Sequence, residues 1–155
     1  FPNPVRKTIY IEGDIIGYKY QLNDIGATLG IESLKEFNSI LKHRKKIYDI
    51  YLKGLSYNKN INCIHDYSQN GYAAWIFTIV LKKKDYLQKK LREKKIETAQ
   101  VHFRNDFYSV FKKYSKGKKF KNMDYLQDKY LVLPVHTKVT VSDAKYIVKL
   151  INEII

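Results

Sequence analysis

The sequence predicts a small α+β domain built on one β-sheet, and three observations support that prediction. The chain has 155 residues, enough for one domain with its own core, and 45% of them are apolar. Some stretches show apolar residues at helical spacing, whereas others are continuous β-branched or aromatic runs. The resulting order is helix, helix, strand, helix, strand, helix, strand, helix, with no internal repeat and no linker.

Residues 1–22 are predicted to form an extended arm and a loop ahead of the folded domain. Pro2 and Pro4 discourage helix, and residues 8–11 can form a short strand before a turn at 12–14. Gly17 permits a sharp bend, because glycine alone adopts positive φ without steric cost. We therefore expect residues 23–155 to form a single helical and small α/β domain.

Two helices are predicted next, over about residues 23–36 and 38–55, separated by a break at Phe37 and Asn38. Asn23 or Asp24 can cap the first helix. A helix that is apolar on two faces is expected to be buried between two bodies. The first helix has such faces, one with Leu22, Ile25 and Leu29 and the other with Ala27, Ile31 and Leu34.

The rest of the chain is predicted to alternate between strands and helices. After a polar loop over 56–71, the apolar run at 72–81 indicates a central strand covered on both faces. Further strands are predicted over 96–101 and 131–134, and helices over 84–94, 107–114 and 123–129. Thr140 and Asp143 form a capping pair for the last helix.

The formal net charge of +14 raises a nucleic acid or an anionic membrane surface as a partner. The lysines are spread over most of the chain and cluster only at 82–95 and 112–121. We interpret the charge as mainly solvated surface and nucleic acid as unlikely, because Tyr48, Tyr51, Trp75 and Phe77 are predicted in the core, away from the lysines. A basic polyanion-binding module remains the alternative. No run approaches the length of a membrane span, so no membrane is expected.

The residues offer few catalytic patterns. There is no glycine-rich phosphate loop and no zinc-type cluster, so no metal is predicted. Cys63 is the single cysteine, which fits a reducing compartment, and the first residues lack the apolar core of a signal peptide, so the cytoplasm is expected.

The densest polar group, at residues 102–106, follows a predicted strand. This group is either part of a site or a helix-capping turn, and the residues leave both interpretations open.

Four segments, in order, resemble the sugar aminotransferases of the DegT/StrS group. Residues 17–30, Gly-Tyr-Lys-Tyr-Gln-Leu-Asn-Asp-Ile-Gly-Ala-Thr-Leu-Gly, resemble that family's Gly-Tyr-Asn/Lys-Tyr-x-Met/Leu-x-Asp-Ile/Leu-x-Ala-Ala-Leu-Gly segment. Residues 34–51 match its basic and aromatic helix, and 96–103 its Gly-Ile-x-Thr…His-Phe/Tyr segment. Residues 133–143 are similar to its closing Leu-Pro-Leu-His-Pro-x-Leu-Thr-x-x-Asp pattern. Each segment is weak evidence alone, but four in the right order are strong evidence.

The resemblance implies a pyridoxal-phosphate enzyme that moves an amino group, usually from glutamate, to a nucleotide-linked keto-sugar. It implies that this chain is the small C-terminal domain of a fold-type I aminotransferase, with about three mainly antiparallel strands preceded by two long helices. It also implies a homodimer in which Lys19 and Gln21 contact the cofactor phosphate of the partner subunit. The substrate, a nucleotide-sugar, would meet Tyr20, His102, Arg104 and His136.

Departures from the family pattern limit what is expected of this chain alone. Lys95 stands where the family usually has glycine at a helix end. The family's Ser-x-His-x-x-Lys segment, which contains the lysine that forms the Schiff base, is absent, so no catalytic residue is assigned. We expect the chain to be the C-terminal part of a longer enzyme, inactive alone and not binding the cofactor. A non-catalytic truncated homologue is the further alternative.

Overall fold

The structure, a computed structural model, describes residues 22–64 and 73–155. The predicted arm falls outside the described residues up to position 21, and so do Lys19, Tyr20 and Gln21. The described parts confirm the α+β class. Their elements are α1 (Asp24–Leu55), β1 (Asn62–Ile64), β2 (Phe77–Val80), α2 (Lys84–Glu93), a 3-10 turn (Asn105–Phe107), α3 (Ser109–Ser115), α4 (Lys121–Leu126), β3 (Tyr130–Leu133) and α5 (Val141–Ile154).

Helix α1 is a single element of 32 residues, so the prediction of two helices is wrong. The cap is as predicted, since the Gly26 backbone N–H donates to Asn23 Oδ1 at 2.8 Å. The break expected at Phe37 and Asn38 does not form. Neither residue removes a backbone donor as proline would, and each lowers helix propensity by less than about 1 kcal/mol. A long helix with packing at one end absorbs that cost.

The two halves of α1 have different surroundings. In the second half, Ile47, Tyr51 and Leu55 are completely buried against the rest of the domain. In the first half, Leu22 is 78% exposed and Ile31 is 59% exposed, and the other large apolar residues there are also exposed. The burial between two bodies, expected from two apolar faces, is therefore not provided by the described residues.

Within residues 22–64 and 73–155, the sheet has three antiparallel strands in the order β1-β2-β3, as the resemblance implied. In the central strand, Phe77 pairs with Leu133 and Val80 with Tyr130. The central strand is shorter than the predicted run at 72–81, and Trp75, just before it, is 57% exposed and not in the core.

Two strand predictions are wrong in their positions. Strand β1 lies in a stretch predicted as a polar loop, because its three residues have no apolar run to mark them. The predicted strand at 96–101 is reduced to a single bridge between Ala99 and Val132. Glu97 and Gln100 are exposed, so this segment has no continuous apolar face to bury against the core.

The domain is closed by the packing of α1 against α5. A Cβ added to Gly54 would lie only 2.4 Å from Val148 Cγ1, so this glycine permits a close approach of the two helices. Helix α1 ends one residue after Gly54, at Leu55. The predicted cap of α5 is confirmed, because the Asp143 N–H donates to Thr140 Oγ1 and the Thr140 N–H donates back to Asp143 Oδ2.

Helix α2 ends in a left-handed residue that is not glycine. Lys95 has a φ of 61°. Its N–H donates to the Arg92 carbonyl and the Ile96 N–H donates to the Leu91 carbonyl, both at 2.9 Å, which is the pattern of a Schellman motif. Lysine therefore occupies a position that favours glycine, at a cost of roughly 1 kcal/mol.

Candidate substrate site

His136 lies in the loop at 134–140, between β3 and α5, and helix α1 holds this loop at both ends. The Tyr51 hydroxyl donates to the Pro134 carbonyl oxygen at 3.0 Å. The His43 Nε2 lies 2.9 Å from the Val139 carbonyl oxygen. A carbonyl oxygen only accepts, so the His43 Nε2 carries the hydrogen. The position of His136 thus depends on two side chains of α1.

The His136 side chain is exposed and has one ring nitrogen occupied. Its Nδ1 accepts a hydrogen bond from the Lys138 backbone N–H at 3.3 Å. Among the described residues its Nε2 has no hydrogen-bond partner, so that nitrogen faces solvent and can meet a ligand. The His136 ring is therefore oriented by its own turn.

The Tyr51 hydroxyl keeps its proton under ordinary conditions. Burial raises the pKa of this phenol well above its usual range, and the nearby Asp143 carboxylate adds to the effect. Burial disfavours the charged phenolate. Tyr51 therefore acts as a permanent donor to the Pro134 carbonyl.

His102 is presented at the surface beside an exposed tryptophan. The rings of Trp75 and His102 meet edge to face, with centroids 5.7 Å apart. The Tyr130 hydroxyl donates to the His102 carbonyl at 2.7 Å and lies 3.3 Å from the His102 backbone N–H. Ala74 is buried with a φ of 46°, a disfavoured conformation for alanine that directs the chain into Trp75.

Arg104 is only 8% exposed, and its guanidinium is occupied by neighbouring side chains. Its Nε and one terminal nitrogen donate to Asp106 at 2.9 and 2.6 Å. The other terminal nitrogen donates to Asp124 at 2.5 Å and to Gln127 at 3.1 Å. The group also lies 4.6 Å from the centre of the Phe107 ring. These contacts join the 3-10 turn to α4 and its end.

The charges around Arg104 support one another. Hydrogen bonds to Asp106 and Asp124 raise the pKa of the Arg104 guanidinium above its usual range. In return, the hydrogen bond from Arg104 lowers the pKa of the Asp106 carboxyl. A substrate would have to displace these partners to reach the guanidinium. The predicted contact of Arg104 with substrate stays a prediction, and the geometry favours a positioning role.

The structure brings some of the predicted residues together and separates others. His102 and Arg104 lie two positions apart on one loop, whereas His136 lies on the other loop. Within residues 22–64 and 73–155, no hydrogen bond or ring contact joins His136 to either of them.

Sequence reasoning missed the supporting roles of His43, Tyr51 and Asp124. We expected Tyr51 in the core and assigned no role to His43 or Asp124. Their loop partners are 96 and 83 residues away, so no local pattern marks them.

Two other chemistries find no support in the described parts of the chain. Burial raises the pKa of the Cys63 thiol to about 11, so it is not a thiolate nucleophile at neutral pH. Among residues 22–64 and 73–155, no group of histidine, cysteine and carboxylate side chains could hold a metal ion.

None of the helices in the described residues is both long and apolar enough to cross a membrane.

The aromatic residues are less confined to the core than predicted. Tyr48, Tyr51 and Phe77 are buried as expected. However, Tyr114 and Phe120 are exposed among the lysines of 112–121, and Lys113 Nζ lies 4.9 Å from the centre of the Tyr114 ring. The prediction that aromatic residues do not alternate with the lysine clusters is therefore wrong for this segment.

Known proteins resemble the chain over most of its length. It is 28% identical over 150 residues to the UDP-4-amino-4,6-dideoxy-N-acetyl-beta-L-altrosamine transaminase of Campylobacter jejuni strain 81-176, covering 92% of this chain and 40% of that protein. It is 27% identical over 150 residues to the GDP-perosamine synthase of Escherichia coli O157:H7, covering 90% of this chain and 38% of that protein. The chain thus spans only about two fifths of the length of these curated relatives.

Solved structures support the fold. A sugar aminotransferase from Micromonospora echinospora superimposes with a TM-score of 0.77 at 23% identity, covering 88% of this chain and 37% of that one. An aminotransferase from Helicobacter pylori, involved in pseudoaminic acid biosynthesis, gives a TM-score of 0.71 at 18% identity, covering 92% and 40%. The sequence also matches the model of the DegT/DnrJ/EryC1/StrS aminotransferase family over residues 4–152. The chain therefore belongs to that family.

Proposed function

We propose that the chain forms the small domain of a pyridoxal-phosphate aminotransferase that acts on a nucleotide-linked keto-sugar, with glutamate as amino donor. The reaction would serve the synthesis of surface polysaccharides or deoxyaminosugars in the cytoplasm. Support comes from the family match and from relatives named for the transamination or synthesis of nucleotide sugars. The observation that carries the proposal is the Leu-Pro-Val-His loop, which α1 holds in place and whose turn orients the exposed His136 ring.

The substrate side of the site would be built by the two loops. His136 offers Nε2 to a hydroxyl or phosphate oxygen of the sugar nucleotide, and Tyr20 would add a further hydroxyl. His102 and Trp75 together offer a polar edge and an apolar face, the combination that a sugar ring requires. Arg104 would act by holding the His102 loop in place through Asp106 and Asp124.

The cofactor side of the site would come from the loop ahead of α1. When bound, pyridoxal phosphate supplies the carrier of the amino group. Lys19 and Gln21 would donate hydrogen bonds to its phosphate in the partner subunit of a homodimer. A dianionic phosphate suits one cationic and one amide donor, because charge-assisted hydrogen bonds are the stronger kind.

Subunit mixing tests this arrangement in a longer enzyme in which a segment with the Schiff-base lysine precedes this chain. One inactive variant lacks that lysine, and the other has Lys19→Ala and Gln21→Ala. If the loop acts across the interface, a mixed dimer has one site with both lesions and one intact site, so activity returns after exchange. No return of activity, when exchange is demonstrated by a tag, would show that the loop acts within its own subunit.

A second experiment tests the chain by itself. Because the Schiff-base segment is absent, we expect no stable visible absorbance when the purified chain is mixed with pyridoxal phosphate. A stable band that disappears on mutation of one specific lysine would contradict this expectation. Weak, scattered reaction of surface lysines would not, since it needs no organised site.

Polyanion binding is the second candidate function, favoured by the exposed Tyr114 and Phe120 among lysines. If this surface has no nucleic-acid function, single-stranded DNA should bind weakly and without sequence preference. This binding should be abolished by about 200 mM salt. Tight binding that resists salt and is weakened by Tyr114→Ala would instead favour a nucleic-acid function, because base stacking on aromatic rings is insensitive to salt.

A further inference from the structure

A basic groove runs between α1 and the start of α5, beside the His136 loop, since Val141 in its lining directly follows residues 134–140. It is open to solvent, has a volume of about 810 Å³ and is lined by five lysines and one aspartate, among other residues. Lys42, Lys46 and Lys53 lie along α1, and Lys145 lies on α5. The sequence did not single out this group, since the clusters it marks are at 82–95 and 112–121. The packing of two helices assembles the groove.

Four of the five lysines that line the groove are exposed. Among the described residues, Lys42, Lys46, Lys53 and Lys145 form no ion pair, although five other lysine or arginine side chains elsewhere in the chain do. Neighbouring like charges repel one another, so a local excess of about four positive charges favours an anionic occupant.

The floor of the groove is aliphatic. Leu41 and Ile50 of α1 and Val141 of α5 line it, each half-buried, with no arginine or aromatic residue in the lining. Proteins that bind single-stranded nucleic acid combine positive charge with aromatic rings on which the bases stack. A floor of branched apolar side chains is better suited to leucine or isoleucine side chains.

The length of the groove also indicates its occupant. The lining on α1 extends from Asn38 to Lys53, which at 1.5 Å per residue is about 22 Å. This is the length of a helix of roughly 15 residues, which is too long for a compact metabolite. It is the dimension of helix-in-groove recognition, in which one apolar face of a peptide lies along the floor.

We propose that this groove binds an acidic amphipathic helix of another protein. Its aliphatic residues would lie on Leu41, Ile50 and Val141, and its carboxylates would meet the lysines of both walls. The α1 lysines at positions 42, 46 and 53 would pair with carboxylates at matching spacing on the bound helix. A second copy of this chain is a poor occupant, because its own net charge is +14.

The test measures fluorescence anisotropy of a labelled 16-residue probe peptide with leucine at helical spacing and flanking glutamates. A scrambled peptide of the same composition and a single-stranded oligonucleotide of the same charge are the comparison probes. We expect the patterned peptide to bind at least about tenfold more tightly than the scrambled one. Equal binding of the two peptides would overturn the proposal.

Two matched charge variants locate the site. The double variant Lys46→Glu and Lys145→Glu should weaken binding of the patterned peptide about tenfold or more. The double variant Lys116→Glu and Lys118→Glu makes the same charge change in an exposed loop and should change it less than about twofold. Equal effects of the two double variants would show diffuse electrostatic attraction and overturn the proposal.

A floor variant separates a helix from a polyanion. Leu41→Gln should weaken the patterned peptide and leave oligonucleotide binding unchanged, because only the peptide has an apolar face to bury. Circular dichroism on each variant confirms that the domain remains folded. If the oligonucleotide competes as well as the peptide and Leu41→Gln has no effect, the groove is a polyanion site and the proposal is wrong.

Discussion

The two loops of the candidate site are held in place by different interactions. The loop with His136 is held to α1 by hydrogen bonds from Tyr51, which is completely buried, and from His43. The loop with His102 is held by ion pairs of Arg104 with Asp106 and Asp124, whose carboxylate side chains are 21% and 57% exposed. One loop depends on the helical core, and the other on charges near solvent.

This difference predicts different sensitivities. The part-buried hydrogen bond from Tyr51 to Pro134 joins neutral groups, so it responds little to salt or moderate pH, but losing the hydroxyl leaves the carbonyl without its donor. Ion pairs near solvent are screened by salt and weakened when a carboxylate is protonated. The two loops should therefore loosen under different conditions, although both are assigned to the candidate site.

The largest expected effect is that of Tyr51→Phe. The substitution removes one hydroxyl and leaves the Pro134 carbonyl without its donor, so the free energy of unfolding should fall by about 1–3 kcal/mol. Chemical denaturation measures this change. Amide hydrogen exchange should also show faster opening at residues 135–139 than at residues 103–107.

The matched control is Tyr57→Phe. Tyr57 is 88% exposed, so removing its hydroxyl should change stability by less than about 0.5 kcal/mol. If Tyr51→Phe and Tyr57→Phe have the same effect, or if Tyr51→Phe loosens the two loops equally, the loops are not held separately.

A smaller effect of opposite sign is expected for Lys95→Gly. Lys95 has positive φ at the end of α2, at the start of the segment that leads to His102. Glycine adopts this conformation without strain, so the free energy of unfolding should rise by roughly 1 kcal/mol. Thermal denaturation should show this gain in stability. Amide hydrogen exchange in the His136 loop should not become faster.

The control for that prediction is Lys94→Gly, the same substitution at the neighbouring position. Lys94 has a φ of −94°, so glycine there relieves no strain and only adds freedom to the unfolded chain. We expect it to destabilise the protein. Stabilisation by both substitutions would point to charge removal as the cause, since each deletes one lysine from a chain with a net charge of +14.

The smallest expected effect is acid loosening of the His102 loop. The hydrogen bond from Arg104 lowers the native pKa of Asp106 below its unfolded value of about 3.9. A group with a lowered native pKa stabilises the fold above its unfolded pKa, and this contribution disappears as the pH falls through the native pKa. The effect is small, because solvent screens both carboxylates.

Exchange protection measured between about pH 6 and pH 2 tests this last prediction. Protection at residues 103–107 should fall with acid in the wild type, whereas Asp106→Asn should start low and change little. The hydrogen bond from Tyr51 to Pro134 should persist, since the phenol keeps its hydrogen throughout this acidic range. The hydrogen bond from Thr140 lowers the pKa of Asp143, so protonation of this carboxylate in acid also weakens the α5 cap. The measurement is therefore repeated in an Asp143→Asn background, in which this contribution is absent. Equal acid loosening of both loops in that background would contradict the comparison.

Local sequence patterns predicted much of the framework. The cap of α5, the burial of Phe77, Tyr48 and Tyr51 and the cap at Asn23 all follow from residues within a few positions of one another. The order of four short motifs also predicted the family, which the match over residues 4–152 confirms. These features depend on spacing along the chain, so the sequence by itself determined them.

Only the tertiary structure decided how the candidate site is supported. The unbroken α1 depends on packing at one end, and strand β1 exists because β2 offers it a partner. Tyr51 and Pro134 are separated by 83 residues, and Arg104 and Asp124 by 20, so no periodic signal connects them. The basic groove is likewise assembled from two helices at opposite ends of the chain. Such contacts depend on the relative placement of distant elements, and that placement is set by burial of the whole core.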